Sequence, residues 1–145
     1  MNNPKHKGNI TELECLTYLF KLGYDVSIPY GDNSRYDLIL DINYNLYKIQ
    51  CKTSRLLQEG VYEFDCNSSR CNSKGLYKTY YDEKEVDFFA TFINGKCYLI
   101  PFKETSTHSK RLRFVPPKNG QIKGITFAKE YEAEKQITKL LEVNK

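Results

Sequence analysis

Apolar and polar positions alternate in two neighbouring stretches, 36–42 and 46–53, which a short polar turn separates. Both stretches are rich in apolar, β-branched and aromatic residues, and the asparagine, tyrosine and asparagine at 43–45 are typical of a tight turn. The pattern therefore predicts two antiparallel strands that are joined as a hairpin.

Three polar side chains of this hairpin are predicted to share one face. A two-residue turn at 43–44 sets Asp37 opposite Gln50, and a turn at 44–45 sets it opposite Lys52. In either register the three residues lie on the same face, because side chains in a strand alternate with a period of two. An acid, an amide oxygen and an ammonium in one place can hold a hard metal ion and stabilise charge on a phosphate.

The rest of the chain predicts a mixture of strands and helices. A second hairpin has the strongest short turn signal, Asn94 followed by Gly95. The other predicted elements are a helix over 11–22 that Asn9 caps and Gly23 ends, a short strand over 24–28, a strand over 60–66, a polar loop over 67–84 with a helical turn near 82–86, and a terminal helix over 127–141.

Length and composition place this order of elements in one domain, 1–145. With 145 residues, 40% of them apolar and 28% charged, the chain is typical of a globular protein that buries a core. We expect an α/β fold in which helices flank a mixed central sheet. No apolar run reaches the length of a membrane span, the amino-terminal residues are polar, and five irregularly spaced cysteines suit a reducing compartment. We therefore expect a cytoplasmic protein with no membrane partner.

Positive charge is concentrated in one segment, 103–124. It holds six basic residues against the single acid Glu104, a net charge of +5, whereas the whole chain carries only +4. A localised basic stripe favours a polyanionic partner such as nucleic acid. The alternative is that the segment is only a solvated loop.

The first predicted helix directs an acid toward its apolar side. At about 100° per residue, Glu12 falls in the middle of an arc that contains Cys15, Leu16 and Leu19, whereas Glu14 lies on the opposite side. A buried carboxylate is costly unless a partner compensates it. Glu12 either closes a capping box with Asn9, three residues before it, or points at the polar patch around Asp37.

Six segments in this order resemble the PD-(D/E)XK nuclease superfamily. They are KGNITE, PYGDNSRYDLIL, IQCKTS, EVDFFATF, CYLIP and LRFVPPKNGQ. Over 7–132 they are most similar to the small PD-(D/E)XK homing endonucleases that group I introns encode. The resemblance implies a restriction-endonuclease-like core.

Within this resemblance, Glu12 corresponds to the helix acid, Asp37 to the metal-binding aspartate and Lys52 to the catalytic lysine. Gln50 stands where the superfamily has a second acid, and Tyr36 stands where it has proline. An amide oxygen still ligates Mg²⁺ but adds no negative charge, so the affinity for the metal should fall. The similar homing enzymes tolerate glutamine at this position.

The resemblance implies Mg²⁺-dependent hydrolysis of double-stranded DNA, with Mn²⁺ able to substitute. The metal ligands would be Asp37, Gln50, the backbone carbonyl of Cys51, and Glu12 directly or through water. Cutting both strands requires two sites, so we expect a dimer or tetramer. Residues expected to contact DNA are Arg70, Lys74, Lys78, Arg111, Arg113, Lys118, Asn119 and Lys123, in loops at about 67–84 and 103–124. The alternatives are a structure-specific nuclease of the Holliday-junction resolvase type and a non-catalytic nucleic-acid-binding module.

Overall fold

The computed structural model describes residues 3–143, including all their side chains except those of residues 70–72. The helices and strands follow one another as α1 (Pro4–Lys21), β1 (Asp25–Ser27), β2 (Leu38–Ile42), β3 (Asn45–Cys51), β4 (Arg55–Gln58), β5 (Val61–Asp65), β6 (Asn67–Asn72), β7 (Gly75–Tyr80), β8 (Phe88–Ile93), β9 (Lys96–Pro101), β10 (Ser109–Arg113) and α2 (Ala133–Val143). Short 3₁₀ helices cover Phe102–Glu104 and Ala128–Tyr131.

A five-stranded sheet forms the centre of the molecule, in the order β1-β2-β3-β8-β9. Strands β3 and β8 are parallel, and the other neighbouring pairs are antiparallel. The predicted α/β class with a mixed central sheet is confirmed.

The two faces of this sheet are covered differently. Both helices pack on one face, where Cys15 and Leu19 of α1 and Ile137 of α2 join a cluster with Leu38 and Leu99 of the sheet. A second sheet, ordered β10-β5-β4, covers the other face, because Phe64 and Leu112 cluster there with Phe89 and Ile100. Both α-helices therefore lie on one side of the sheet, and Ala128 of the second 3₁₀ helix packs on the other.

The β2–β3 hairpin adopts the first of the two predicted registers. Asn43 and Tyr44 form its two-residue turn with φ of 50° and 68°, the left-handed conformation that twisted hairpins require. Ile42 pairs with Asn45 and Leu38 with Ile49, so Asp37 comes next to Gln50. The second predicted hairpin, β8–β9 around Asn94, is also confirmed.

The predicted start of the first helix is wrong. Helix α1 begins at Pro4, and the side chain of Asn3 accepts a hydrogen bond from the Lys5 N–H at 2.8 Å. Proline suits the first turn, where its missing N–H costs no helical hydrogen bond. Asn9 therefore lies within the helix and cannot form a capping box with Glu12. Gly23 follows the helix with φ of 100°, as predicted.

The loop predicted over 67–84 is wrong for most of its length. Strands β6 and β7 form a two-stranded hairpin there, with Asn67 opposite Tyr80 and Asn72 opposite Gly75. The segment 82–86 contains a turn and no helix. Part of the basic segment 103–124 is likewise strand β10, β4 was not predicted, and the terminal helix begins only at Ala133.

Within residues 3–143, no helix combines the length and apolar character that crossing a membrane requires.

Candidate active site

Asp37 stands where β2 and β3 diverge. Its N–H still donates to the Ile49 carbonyl at 2.8 Å, and its Oδ2 accepts the Cys51 N–H at 2.9 Å. The Asp37 carboxylate thus accepts the hydrogen bond that a backbone carbonyl would accept if the β2–β3 pairing continued. This bond fixes the carboxylate at the carboxyl end of β3.

Gln50 and the Cys51 carbonyl lie beside this carboxylate. The Gln50 Nε2 approaches the Cys51 carbonyl oxygen at 3.5 Å, so the side-chain amide and this carbonyl face one another. A half-turn of the amide brings its own oxygen to the same place, since the two ends of the amide have similar size. The side chain of Cys51 instead joins the apolar cluster beneath the helices.

Lys52 has the same strand parity as Gln50, and its half-buried side chain is held at the tip. Its Nζ donates to the Asn67 carbonyl at 2.8 Å and lies 4.9 Å from the centre of the Tyr81 ring. The ammonium is also close enough to Asp37 to lower the pKa of that carboxyl. Lys52 and Asp37 therefore belong to one electrostatic site.

Glu12 reaches the site from α1. The buried row of the helix is Thr11, Cys15 and Leu19, whose centre lies about 60° from Glu12. The buried side of the helix is therefore displaced from the predicted arc, which was centred on Glu12. The Thr11 hydroxyl lies 2.7 Å from the Thr53 hydroxyl, just past Lys52, which holds this turn of the helix against the end of β3.

The ionised form of both carboxylates is disfavoured in the folded protein. Burial raises the pKa of Asp37, against the opposing effects of the Cys51 N–H and the Lys52 ammonium. Burial and the nearby charge of Asp37 raise the pKa of Glu12. A cation between these groups would relieve both penalties.

The donor atoms fit a magnesium ion. The Glu12 and Asp37 carboxylates, the Gln50 amide and the Cys51 carbonyl all offer oxygen, which hard divalent cations prefer. Among the described residues, no three His, Cys, Asp or Glu side chains are grouped to hold a metal. That agrees with a neutral glutamine at the position of the second acid.

Asp37 and Gln50 open into a cleft of about 740 Å³. Sequence reasoning did not assign its other lining residues, which are Lys5, Asp32, Asn33, Ser34, Arg35, Ser68, Ser69, Thr79 and Tyr81. The signal available for Arg35 was its position two residues before Asp37, which gives it the same parity in an extended chain. Lys5 was not recognised because the first helix was predicted to begin at residue 11, and it begins at Pro4.

The β6–β7 hairpin forms one wall of this cleft through Ser68, Ser69 and Thr79. Lys78 is exposed and is paired across the hairpin with Ser69, which lines the cleft. Lys74 is exposed in the turn. The side chain of Arg70 lies outside the described part of the structure.

The basic residues of 103–124 are divided between a strand and a turn-rich loop. Arg111 is exposed on β10 opposite Glu63, and the Arg113 Nε donates to the Val115 carbonyl at 3.4 Å. Lys118 and Lys123 are exposed. Asn119 is also exposed, and its side chain accepts the Gln121 N–H at 3.0 Å, so it shapes the loop.

Comparisons with known proteins agree with this geometry. The family model described as PD-(D/E)XK endonuclease matches residues 2–134. Among solved structures, the bacterial homing endonuclease I-Ssp6803I is similar, with a TM-score of 0.77 and 22% identity, over 99% of this chain and 98% of that one. At this identity the likeness shows the fold. No curated protein matches the chain. The resemblance inferred from the sequence is confirmed: the chain belongs to the PD-(D/E)XK endonuclease family.

Proposed function

We propose that this nuclease is a Mg²⁺-dependent endodeoxyribonuclease that cuts double-stranded DNA at a specific site, as a homing endonuclease does. The observation that carries the proposal is the meeting of Glu12, Asp37 and Gln50 at the end of β3, beside the Lys52 ammonium and open to a cleft. Oxygen ligands next to a fixed cation are what hydrolysis of a phosphodiester requires.

Asp37, Gln50 and the Cys51 carbonyl would hold the metal, and Glu12 would join them directly or through water. When bound, the ion lowers the pKa of a water molecule and neutralises charge on the phosphate. The Cys51 N–H keeps the Asp37 carboxylate in place. Mn²⁺ takes the same oxygen ligands and should substitute.

Lys52 contributes a positive charge that needs no reorganisation during the reaction. Its Nζ donates one hydrogen bond to the Asn67 carbonyl, and the ammonium has further N–H groups that can donate to a phosphate. It would stabilise the negative charge that grows on the phosphate oxygens, or orient the attacking water.

The DNA would lie over the cleft, between the β6–β7 hairpin and the basic segment 103–124. Exposed lysines of both regions, Lys74, Lys78, Lys118 and Lys123, would contact phosphates. Arg111 and Arg113 would read bases, because the arginine fork matches the O6 and N7 atoms of guanine.

Residues 3–143 contain one such site, so a cut through both strands requires a second copy. We expect a homodimer or homotetramer that presents two sites to the duplex. Light scattering coupled to size-exclusion chromatography, with and without DNA in Ca²⁺, measures the assembly; a monomer under both conditions would contradict this part of the proposal.

Nicking of supercoiled plasmid tests the chemistry. The wild-type protein should convert plasmid to open-circle and linear forms in Mg²⁺ or Mn²⁺, and a chelator should stop the reaction. The Asp37→Asn variant should be inactive. Binding without any cleavage in either metal would instead favour the non-catalytic nucleic-acid-binding module.

The ends of the products separate the remaining alternatives. Sequencing the ends formed from a pool of natural DNA fragments should show one recurrent position if cleavage is site-specific. A four-way junction and a linear duplex of the same sequence, cut in parallel, test the resolvase alternative. Preference for the junction, without a recurrent sequence, would favour that alternative.

A further inference from the structure

Lys52 has two partners that the catalytic role does not require. A lysine ammonium is a point charge on a flexible four-carbon stem, so its position is poorly defined unless other groups hold it. Here the Nζ is 2.8 Å from the Asn67 carbonyl oxygen and 4.9 Å from the centre of the Tyr81 ring. These contacts place the ammonium from two sides.

The first partner is itself fixed. Asn67 is only 6% exposed, and its Nδ2 donates to the Thr107 carbonyl at 2.7 Å and to the His108 carbonyl at 3.2 Å. A buried side chain with two backbone acceptors holds the main chain of its own residue in one orientation. The carbonyl that binds Lys52 therefore belongs to a rigid point where β6 begins.

The second partner serves two cations. The Arg35 guanidinium carbon lies 4.5 Å from the centre of the same Tyr81 ring. Tyr81 also packs edge-to-face on Phe89, with centroids 5.7 Å apart, and Phe89 is the residue across the parallel ladder from Gln50. The packing on Phe89 thus fixes the Tyr81 ring next to β3, the strand that carries Gln50.

Arg35 lines the cleft together with Asp37, Gln50 and Tyr81. Its Nη2 donates to the Tyr80 carbonyl at 3.1 Å, and its Nε is 3.7 Å from Glu85. A guanidinium has five donors, so these contacts leave donors for a phosphate.

We propose that Tyr81 and Asn67 are positioning residues: they hold the Lys52 ammonium at the scissile phosphate and, through the same ring, the Arg35 guanidinium at a neighbouring phosphate. The inference rests on the proposed nuclease function. It predicts that the ring, not the tyrosine hydroxyl, is what cleavage requires, because a cation binds the face of phenylalanine as well.

Cleavage kinetics test the role in the reaction. Tyr81→Leu should lower kcat about tenfold through misplacement of Lys52, and Tyr81→Phe should restore most of the rate. Asn67→Ser should lower kcat in the same direction without touching the ring. Arg35→Gln should act mainly on KM. Tyr44→Leu, at an exposed tyrosine in the β2–β3 turn, is the matched control and should cut like wild type.

Nuclear magnetic resonance of the protein without DNA or metal tests the contact itself. With ¹³C-labelled lysine, the Hε resonance of Lys52, assigned by its loss in Lys52→Arg, should be shifted upfield by the Tyr81 ring. Tyr81→Leu should remove this shift, while the resonance of Lys48, which lies near Tyr36, stays unchanged.

The outcomes separate the two proposals. If the wild-type protein never cuts DNA, both the proposed function and the positioning role are wrong. A wild-type protein that cuts, but whose Lys52 resonance is unshifted or whose folded Tyr81→Leu and Asn67→Ser variants keep the wild-type kcat, overturns the positioning role alone. If both variants fail to fold, the wild-type resonance decides.

Discussion

The β2–β3 and β6–β7 hairpins are both two antiparallel strands around a tight turn, yet they differ in what surrounds them. Leu38, Leu40 and Ile42 of the first are almost fully buried, and β3 continues the sheet through β8. Within residues 3–143, strands β6 and β7 of the second hairpin pair with no other strand, and residues 73–78 are exposed. Asp37, Gln50, Cys51 and Lys52 lie in the first hairpin or directly next to it, and the second forms a wall of the cleft.

The two hairpins are therefore suited to different roles. Reacting groups need a fixed geometry, which packed strands provide better than exposed ones. A surface that follows DNA needs exposed polar and basic side chains and little packing, so its sequence can change without loss of the core. Substitutions of Asp37 and Lys52 should therefore lower the rate of cleavage and spare DNA binding, and substitutions of the exposed lysines should weaken DNA binding and spare the rate.

The largest effect should come from Asp37→Asn and Lys52→Met. Each should reduce Mg²⁺-dependent cleavage at least about a hundredfold, because a metal ligand or a fixed charge beside the phosphate is lost. DNA binding in Ca²⁺, measured by fluorescence anisotropy, should change little. Cleavage at the wild-type rate by either variant would contradict the assignment of the site.

The chain offers close controls for both substitutions. The Asp87 carboxylate accepts the Lys48 N–H at 2.8 Å, as Asp37 accepts that of Cys51. The Lys48 Nζ donates to the Lys84 carbonyl at 2.7 Å and lies 5.9 Å from the Tyr36 ring. Asp87→Asn and Lys48→Met remove the same groups from the same sheet and should leave the cleavage rate near that of wild type.

Glu12→Gln should lower the rate by about tenfold or more, as is typical when a residue that supports a metal site is lost. The charge of Asp37 helps to raise the pKa of Glu12, so Glu12 is close enough to Asp37 to take part in holding the metal. Glu14→Gln, two residues along the same helix, is the matched control. Equal and small effects at both positions would show that Glu12 takes no part in the chemistry.

The buried hairpin was predictable because local rules and packing agree there. Alternating Leu38, Leu40 and Ile42 mark the buried face, and a turn with two residues of positive φ at Asn43 and Tyr44 fixes the register. From these two facts the period of two brings Asp37 beside Gln50. The choice between two registers needed the structure, since both turns suit the sequence.

The exposed hairpin could not be predicted in the same way. Asn67–Asn72 (NSSRCN) contains no alternation of apolar and polar residues that would indicate a strand. The contacts of Lys52 with Asn67 and Tyr81 depend on the position of that hairpin in the fold, so no local sequence pattern predicts them. The predicted start of α1 was wrong for a simpler reason: the helix is capped by Asn3 and begins at Pro4, and it does not use Asn9 as a cap.

Thermal stability should depend on pH through the two acids. Their folded-state pKa values are raised, so the ionised folded protein carries a penalty that is present at neutral pH and disappears as pH falls through those values. Without metal, Asp37→Asn and Glu12→Gln should therefore melt above wild type at about pH 8, and the difference should shrink toward about pH 4.

Magnesium should reverse that order, because an ion that binds only the folded state stabilises the protein that keeps its ligands. Differential scanning fluorimetry across pH, with Mg²⁺ and with a chelator, measures both effects. A wild-type protein that melts above both variants in chelator at high pH would show that the two carboxylates are already compensated.

Gln50→Glu should have a moderate effect on metal binding. It restores the acid that the superfamily has at this position and adds a negative charge beside Asp37, so the Mg²⁺ concentration for half-maximal cleavage should fall severalfold. Gln58→Glu on exposed β4 is the control for adding one negative charge at the surface. An unchanged Mg²⁺ dependence would show that Gln50 is not a ligand.

The smallest effects should come from single lysines of the exposed regions. Neutralising Lys78, Lys118 or Lys123 should weaken binding to all sequences and reduce the slope of log K against log salt concentration by about one unit each. Arg111→Gln and Arg113→Gln should instead cost more on the cognate site than on random DNA, because a bidentate contact to guanine carries sequence information. Binding in Ca²⁺ across salt concentrations, to both kinds of duplex, measures the difference. If a variant lacking Arg111, Arg113, Lys118 and Lys123 together binds both duplexes like wild type, the segment 103–124 takes no part in DNA binding, and the contacts with DNA come from the β6–β7 hairpin.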